Sequence, residues 1–286
     1  MGFLAIVIVM VLLQAWGSGG PVQRDAWLFH LHQWVASHIR SPRVRLLVVV
    51  AVPVLVLMCL AIVLAPLLYG LGLLALYVVV LLYSMGRGPF NDQIQTYLTA
   101  WRAGNFEAAL RYLTALGPVL PDSVTDEESL HRAARAAVVY CGFERWFAVV
   151  FWFFLLGPFA ALVYRLFAVL AASDRVDAGE RAQAAQCLYW LEWLPARVLG
   201  FTFALIGSFD ETFRVLQRNA RLNRNTTDLL DELAAPTVCV EVEAAAGLTA
   251  DEVLIERGEK EIAGVQALLF RSVVCWLIVL ALFYII

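Results

Sequence analysis

Two apolar runs, residues 146–171 and 188–207, are each near the length of about 20 residues that crosses a bilayer. Both carry charge where lipid should exclude it. Arg165 lies late in the first, and Glu192 and Arg197 lie inside the second. An ionisable side chain at mid-bilayer costs about 2.5–3.5 kcal/mol on insertion scales, so it turns toward protein or water. The rest of the chain must supply that shelter.

Composition supports the membrane reading. The chain of 286 residues is 62% hydrophobic and 16% charged, with a mean hydropathy of +0.76. A soluble domain carries about 45–50% apolar and about 25% charged residues. The apolar runs are continuous rather than alternating, which points to helices and not to a barrel. The expected fold is therefore an all-α polytopic membrane protein with about six membrane-embedded helices. They are placed near 2–16, 44–65, 70–86, 146–171, 188–207 and 265–286 of a single membrane domain, with cytoplasmic helical insertions at 87–142 and 208–262. A net charge of −3 argues against a nucleic-acid partner. Membrane lipid is the partner this composition requires.

Local signals add detail. Gly17 to Pro21 break the first helix, and Trp27, Phe29, Leu31 and Trp34 with His30, His32 and Arg24 suit a short amphipathic helix at the headgroups. Gly70 and Gly72 permit a tight turn between two membrane helices. Gly104-Asn105 divide a helical hairpin that Pro118 and Pro121 end, and Thr125 with Glu128 reads as a capping box. Residues 172–187 read as a charged connection. Helices are expected at Phe209 to Arg221 and Thr227 to Ala234, with a loop through Pro236. Arg214, Arg218 and Arg221 recur at helical spacing, giving a basic, solvated or headgroup-facing surface.

The arginines set the topology. Loops 17–43, 87–142 and 208–262 carry most of them, and with six spans these loops share one side. The positive-inside rule makes that side cytoplasmic and both termini extracytoplasmic.

Within 143–207, Pro195 between Glu192 and Arg197 predicts an opened helical ladder beside a polar cavity. Two readings stand. One is a polar ligand pocket lined by Glu144, Arg145, Glu192 and Arg197, with Arg165 snorkelling from the far end of its helix. The other is a set of interfacial anchors and one interhelical ion pair. No GxSxG, HExxH or P-loop occurs, and Cys59, Cys141, Cys187, Cys239 and Cys275 are scattered. Neither a catalytic set, a metal site nor a cofactor is expected.

The string Phe151-Trp152, Gly157-Pro158, Tyr164-Arg165, then Trp193-Leu194-Pro195-Ala196-Arg197, resembles the membrane family of the cobalamin-biosynthesis proteins CobD/CbiB, and most closely its AmpE branch. Phe151, Trp152, Gly157, Pro158, Tyr164, Trp193 and Pro195 are the structural motif in that resemblance. Resemblance to AmpE implies an inner-membrane regulatory or sensory protein connected with β-lactamase induction and peptidoglycan recycling. It implies a small anionic cell-wall fragment, or a membrane or cytoplasmic protein, as partner. Resemblance to the synthases would imply ligation at a carboxylate of an amphiphilic corrinoid. The acidic and amide-rich positions of that pattern are Ala136, Tyr140 and Cys141 here, and its Asn-Thr-Leu-Asp is AVLA at 168–171. The expectation is the scaffold without the synthase activity. A carrier of a small anionic cell-wall fragment is the third reading.

Overall fold

The computed structural model describes residues 2–16, 23–66, 70–85, 90–116, 124–219, 225–239 and 249–285. Among the described residues the chain is all-α, without strands. In chain order the helices are α1 (Gly2–Trp16), α2 (Ala26–His38), α3 (Pro42–Leu64), α4 (Leu71–Ser84), α5 (Phe90–Arg102), α6 (Phe106–Leu116) and α7 (Glu127–Gly142). A π-helical turn at Phe143–Phe147 leads to α8 (Ala148–Leu156), α9 (Pro158–Ala172), α10 (Ala178–Ile206), α11 (Phe209–Asn219), α12 (Thr226–Val238) and α13 (Ala250–Ile285). Among the described residues, three stretches are long and apolar enough to cross a membrane: Pro42–Leu64, Glu127–Leu156 and Glu252–Tyr284. The expected breaks at Gly17–Pro21 and at Pro118 and Pro121, and Arg221 of the basic face, lie outside the described residues.

The chain divides into two compact units, Met1–Gly88 with Arg145–Trp193, and Pro89–Glu144 with Leu194–Ile286. In the first unit, α3, α4 and α8 each pack against α9, α1 packs against α4, and α2 against α3. Leu28, Val49, Leu76, Leu166 and Leu170 are among its buried core. The run 146–171, expected as one helix, is two. Pro158 has no N–H, and its ring clashes with the carbonyl four residues back, so a new helix starts there. The residue before proline avoids helical geometry, and Gly157 takes φ +80°, where a side chain would strain.

The end of α4 is tied down from far away. Gln23 Nε2 donates to the carbonyls of Leu82 and Met85 at 2.9 and 2.6 Å, satisfying groups the helix leaves orphaned. Tyr83 Oη donates to Asp25 Oδ1 at 2.9 Å. Trp27 and Trp34 stay exposed on α2, as an interfacial helix requires. The stretch 172–187, read from sequence as a connection, is helical from Ala178. Glu180 in its first turn is buried, 2.6 Å from His32 Nε2 and 2.7 Å from Arg45 Nη1. That pairing draws His32 out of the solvent-facing set.

The second unit is built on α7, against which α6, α12 and α13 pack. Gly104 at φ +65° reverses the chain between α5 and α6, and Asn105 Oδ1 accepts from Ala108 N–H at 3.0 Å as an N-cap. The capping box of α7 is one residue later than expected. Asp126 Oδ1 accepts from Ser129 N–H at 2.8 Å and Ser129 Oγ accepts from Asp126 N–H at 3.2 Å, which leaves Glu128 at the second helical position. α12 runs through Pro236 instead of ending before it; the ring sits in the last turn and removes one donor only. α13 starts well before the expected 265. One-turn pairs such as Lys260–Glu256 at 2.7 Å support its polar beginning. Close approaches set its position. A Cβ at Gly258 would lie 2.6 Å from Trp101 Nε1, and one at Gly142 would lie 2.6 Å from Leu269 Cδ1.

Candidate functional site

The residues singled out from the sequence fall in both units. Arg145, Arg165 and Glu192 belong to the first, Glu144 and Arg197 to the second. Glu144 and Arg145 occupy the π-helical turn, half-buried. Such turns widen the helix by a residue, and they recur at functional sites. Arg165 lies in the middle of α9, 8% exposed. It is not at the far end of a helix, because Pro158 restarts the helix only two turns earlier. Glu192 is buried and accepts from Tyr164 Oη at 3.2 Å, so the fold joins a candidate ligand residue to one of the motif. Trp152 Nε1 donates to the Leu191 carbonyl at 3.0 Å, and its ring lies edge-on to Phe151. Gly157 and Pro158 form the helix break described above.

α10 is unbroken through Pro195, contrary to the expected opening. One missing donor in a helix of 29 residues is absorbed by its neighbours. Arg197 Nη2 donates to the carbonyl of Asn219, at 3.4 Å, and Asn219 Nδ2 donates to Glu232 Oε2 at 2.8 Å. Arg214 and Arg218 are exposed on α11.

A second polar constellation escaped the sequence reading. It lies wholly in the second unit and joins α7, α12 and α13. Arg135 holds Asp231 through both oxygens, at 2.8 and 3.0 Å. Its Nη1 also donates to Glu261 Oε2 at 2.8 Å and to Cys239 Sγ at 2.9 Å. His131 Nε2 is 3.0 Å from the same Glu261 oxygen, and Arg257 Nε donates to the other at 2.9 Å. His131, Arg135, Asp231 and Glu261 are all buried. The signal for it was present. His131 with Arg135, and Arg257 with Glu261, are spaced one helical turn apart on segments read as polar.

This arrangement balances two arginines against two carboxylates, and every carboxylate oxygen has a cationic or imidazole partner. Oxygens so occupied are poor proton acceptors and have no room for a substrate. The cluster locks three helices together. Beside it, crowding by the protein pushes the Cys239 thiol above its ordinary value, and the Arg135 guanidinium only partly offsets that. In α5, burial raises the Tyr97 phenol, so it stays protonated. Among the described residues, no three His, Cys, Asp or Glu side chains converge as a metal-holding group.

Comparison with known proteins bears on the whole architecture. The family model described as "Regulatory signalling modulator protein AmpE" matches residues 1–228. The cobalamin biosynthesis protein CobD of Stutzerimonas stutzeri (strain A1501) is 30% identical over 170 residues, which cover 56% of this chain and 53% of that protein. The chain thus matches about half the length of that relative. No solved structure matches.

Proposed function

Since the chain belongs to the AmpE family of regulatory signalling modulator proteins, we propose that it is a regulatory or sensory protein of the bacterial inner membrane. It is connected with β-lactamase induction and peptidoglycan recycling, and its termini are extracytoplasmic. It responds to a small anionic ligand such as a cell-wall fragment, or to a protein partner, through the polar side chains of 143–207. The family match over residues 1–228 carries this reading, because it spans that whole segment. The π-helical placement of Glu144 and Arg145 supports it. Arg197 is the first candidate for an anion, since guanidinium binds carboxylate and phosphate in a forked geometry.

The test is mass spectrometry of what co-purifies in mild detergent, paired with a β-lactamase induction reporter. Arg197→Ala should lose a bound anionic molecule and alter induction, while Arg218→Ala, on the exposed face of α11, should do neither. Equal, mild effects of both would overturn the role of Arg197. Separately, a reporter fused after Ile286 should read as extracytoplasmic, and a cytoplasmic signal would remove the six-span topology.

The kinship with a protein named for cobalamin biosynthesis supports a second reading, a membrane ligase acting on an amphiphilic carboxylate. Binding of ATP with Mg²⁺ by the purified protein would favour it. Ala136, Tyr140 and Cys141 stand against it, being unable to hold a nucleotide's metal.

A further inference from the structure

Helix α11 presents three faces. One is packed on α12: Thr212 Oγ1 donates to the Leu233 carbonyl at 3.4 Å, and Asn219 is buried. A second is charged and exposed, with Glu211, Arg214 and Arg218. Between them lies an apolar edge, where Phe209 is 47% exposed and its ring stacks on Phe213 at 5.4 Å. The helix cannot rotate to hide that edge. Ser208 N–H donates to Thr237 Oγ1 at 3.2 Å, and Ser208 Oγ donates to the Pro236 carbonyl at 3.1 Å.

The edge continues a stripe on α10, where Leu194, Val198, Phe201 and Leu205 are exposed. Its depth can be read from α13. Trp276 Nε1 donates to Thr202 Oγ1 at 3.0 Å, so the stripe runs beside the apolar part of that helix. Further along, a Cβ at Gly207 would run into the Thr237 side chain, and one at Gly264 would lie 3.5 Å from Val238 Cβ. The start of α11 is therefore near the level of Gly264. There α13 changes character. Glu259, Lys260 and Glu261 come before, and Arg271 is the one charge from Val265 to Ile285. That apolar stretch is about 30 Å long at 1.5 Å per residue, the thickness of a hydrocarbon core. Arg271 is exposed, about 10 Å beyond Gly264, and its long side chain can snorkel toward that boundary.

We infer that α11 is an interfacial wedge: Phe209 and Phe213 enter the acyl-chain boundary of the phospholipid layer, and the Arg214–Arg218 edge remains among headgroups and water. The partner is the bilayer itself. Depth, the continuous apolar stripe and the flanking charged edge all fit an amphipathic helix lying in the membrane plane. A soluble surface has no reason to leave Phe209 exposed, stacked on a half-buried Phe213, at the end of such a stripe.

The test uses the full chain in nanodiscs of phosphatidylethanolamine and phosphatidylglycerol. A diazirine-bearing phenylalanine replaces, one at a time, Phe201, Phe209, Phe213 or Glu211. After irradiation, mass spectrometry should find lipid adducts at 201, 209 and 213 and water adducts at 211. Water adducts at 209 and 213 would overturn the wedge. So would cross-links from them to a second copy of the chain, which would make the edge a protein interface. Loss of lipid adducts at 201 as well would remove the membrane depth on which the inference rests.

Discussion

Arg135 on α7 and Glu261 on α13 meet at 2.8 Å, and the glutamate has no exposed surface. Neither residue is an isolated charge. The guanidinium also holds Asp231, and the carboxylate also receives Arg257 and His131. The pair helps bind three amphipathic helices into one body, and removing Arg135 takes the cation from both oxygens of the buried Asp231 and one of the partners of Glu261.

Arg135→Ala should therefore lower stability by about 3–5 kcal/mol, the usual cost of stranding a buried charge. Arg135→Lys should not restore it, because an ammonium cannot hold Asp231 through two parallel bonds. Thermal unfolding in detergent measures both. Arg102→Ala, which breaks the half-exposed pair with Glu259, is the control and should cost about 0–1 kcal/mol. Equal losses for positions 102 and 135 would contradict the locking role of the cluster.

Gly258→Ala should destabilise the second unit by about 1–3 kcal/mol through overpacking. The added Cβ meets the indole of fully buried Trp101, a rigid ring that also donates to the Ile255 carbonyl at 3.2 Å. The measurement is the melting temperature together with tryptophan emission, which should shift to the red. Gly179→Ala, with open space around its Cβ, should leave both unchanged.

In the first unit, Glu180→Ala should loosen the attachment of α2. It removes the partner of His32 and one partner of Arg45. Hydrogen exchange across 26–38 should quicken while 90–102 stays protected. A uniform change in both segments would mean that the ion pair acts globally.

The start of α7 should depend on acid. Hydrogen bonds from the Ser129 side chain and backbone hold the Asp126 carboxyl below its ordinary value of 3.8. A depressed carboxylate contributes its stabilisation fully above that ordinary value and loses it as pH falls through the folded one. Amide protection at Ser129 and Leu130 should be constant from neutral pH to about 5 and should fall below about 4. Asp126→Asn, which still caps but does not titrate, should abolish the dependence.

Cys239 should resist alkylation at neutral pH, although it is exposed at the surface. Its thiol is held above the ordinary value of 9.0, so the reactive thiolate forms only in alkaline solution. Removing Arg135 takes away a cation that favours the thiolate and should push the onset of labelling higher still. Rapid labelling of Cys239 at pH 7, followed by peptide mapping, would contradict this.

By itself the sequence determined the solvent in which this chain folds and the helical class it adopts. Apolar runs such as 44–65 and charge concentrated in a few loops are local properties, and hydropathy reads them directly. The hairpin break at Gly104-Asn105 was legible for the same reason: one residue needing φ > 0 and one capping side chain suffice. The kinship with AmpE was legible in the short string around Gly157-Pro158 and Trp193 to Arg197. What sequence left open depended on partners distant along the chain. Proline marks a lost hydrogen bond in every case, yet Pro158 starts a helix beside Gly157 while Pro195 and Pro236 are absorbed, because surrounding packing decides whether the defect is tolerated. His131, Arg135, Asp231 and Glu261 look like solvated charges on polar segments, and only the packing of α7, α12 and α13 buries them. Whether a charge faces water or a counter-ion is a relation between helices, and helical periodicity within one helix cannot specify it.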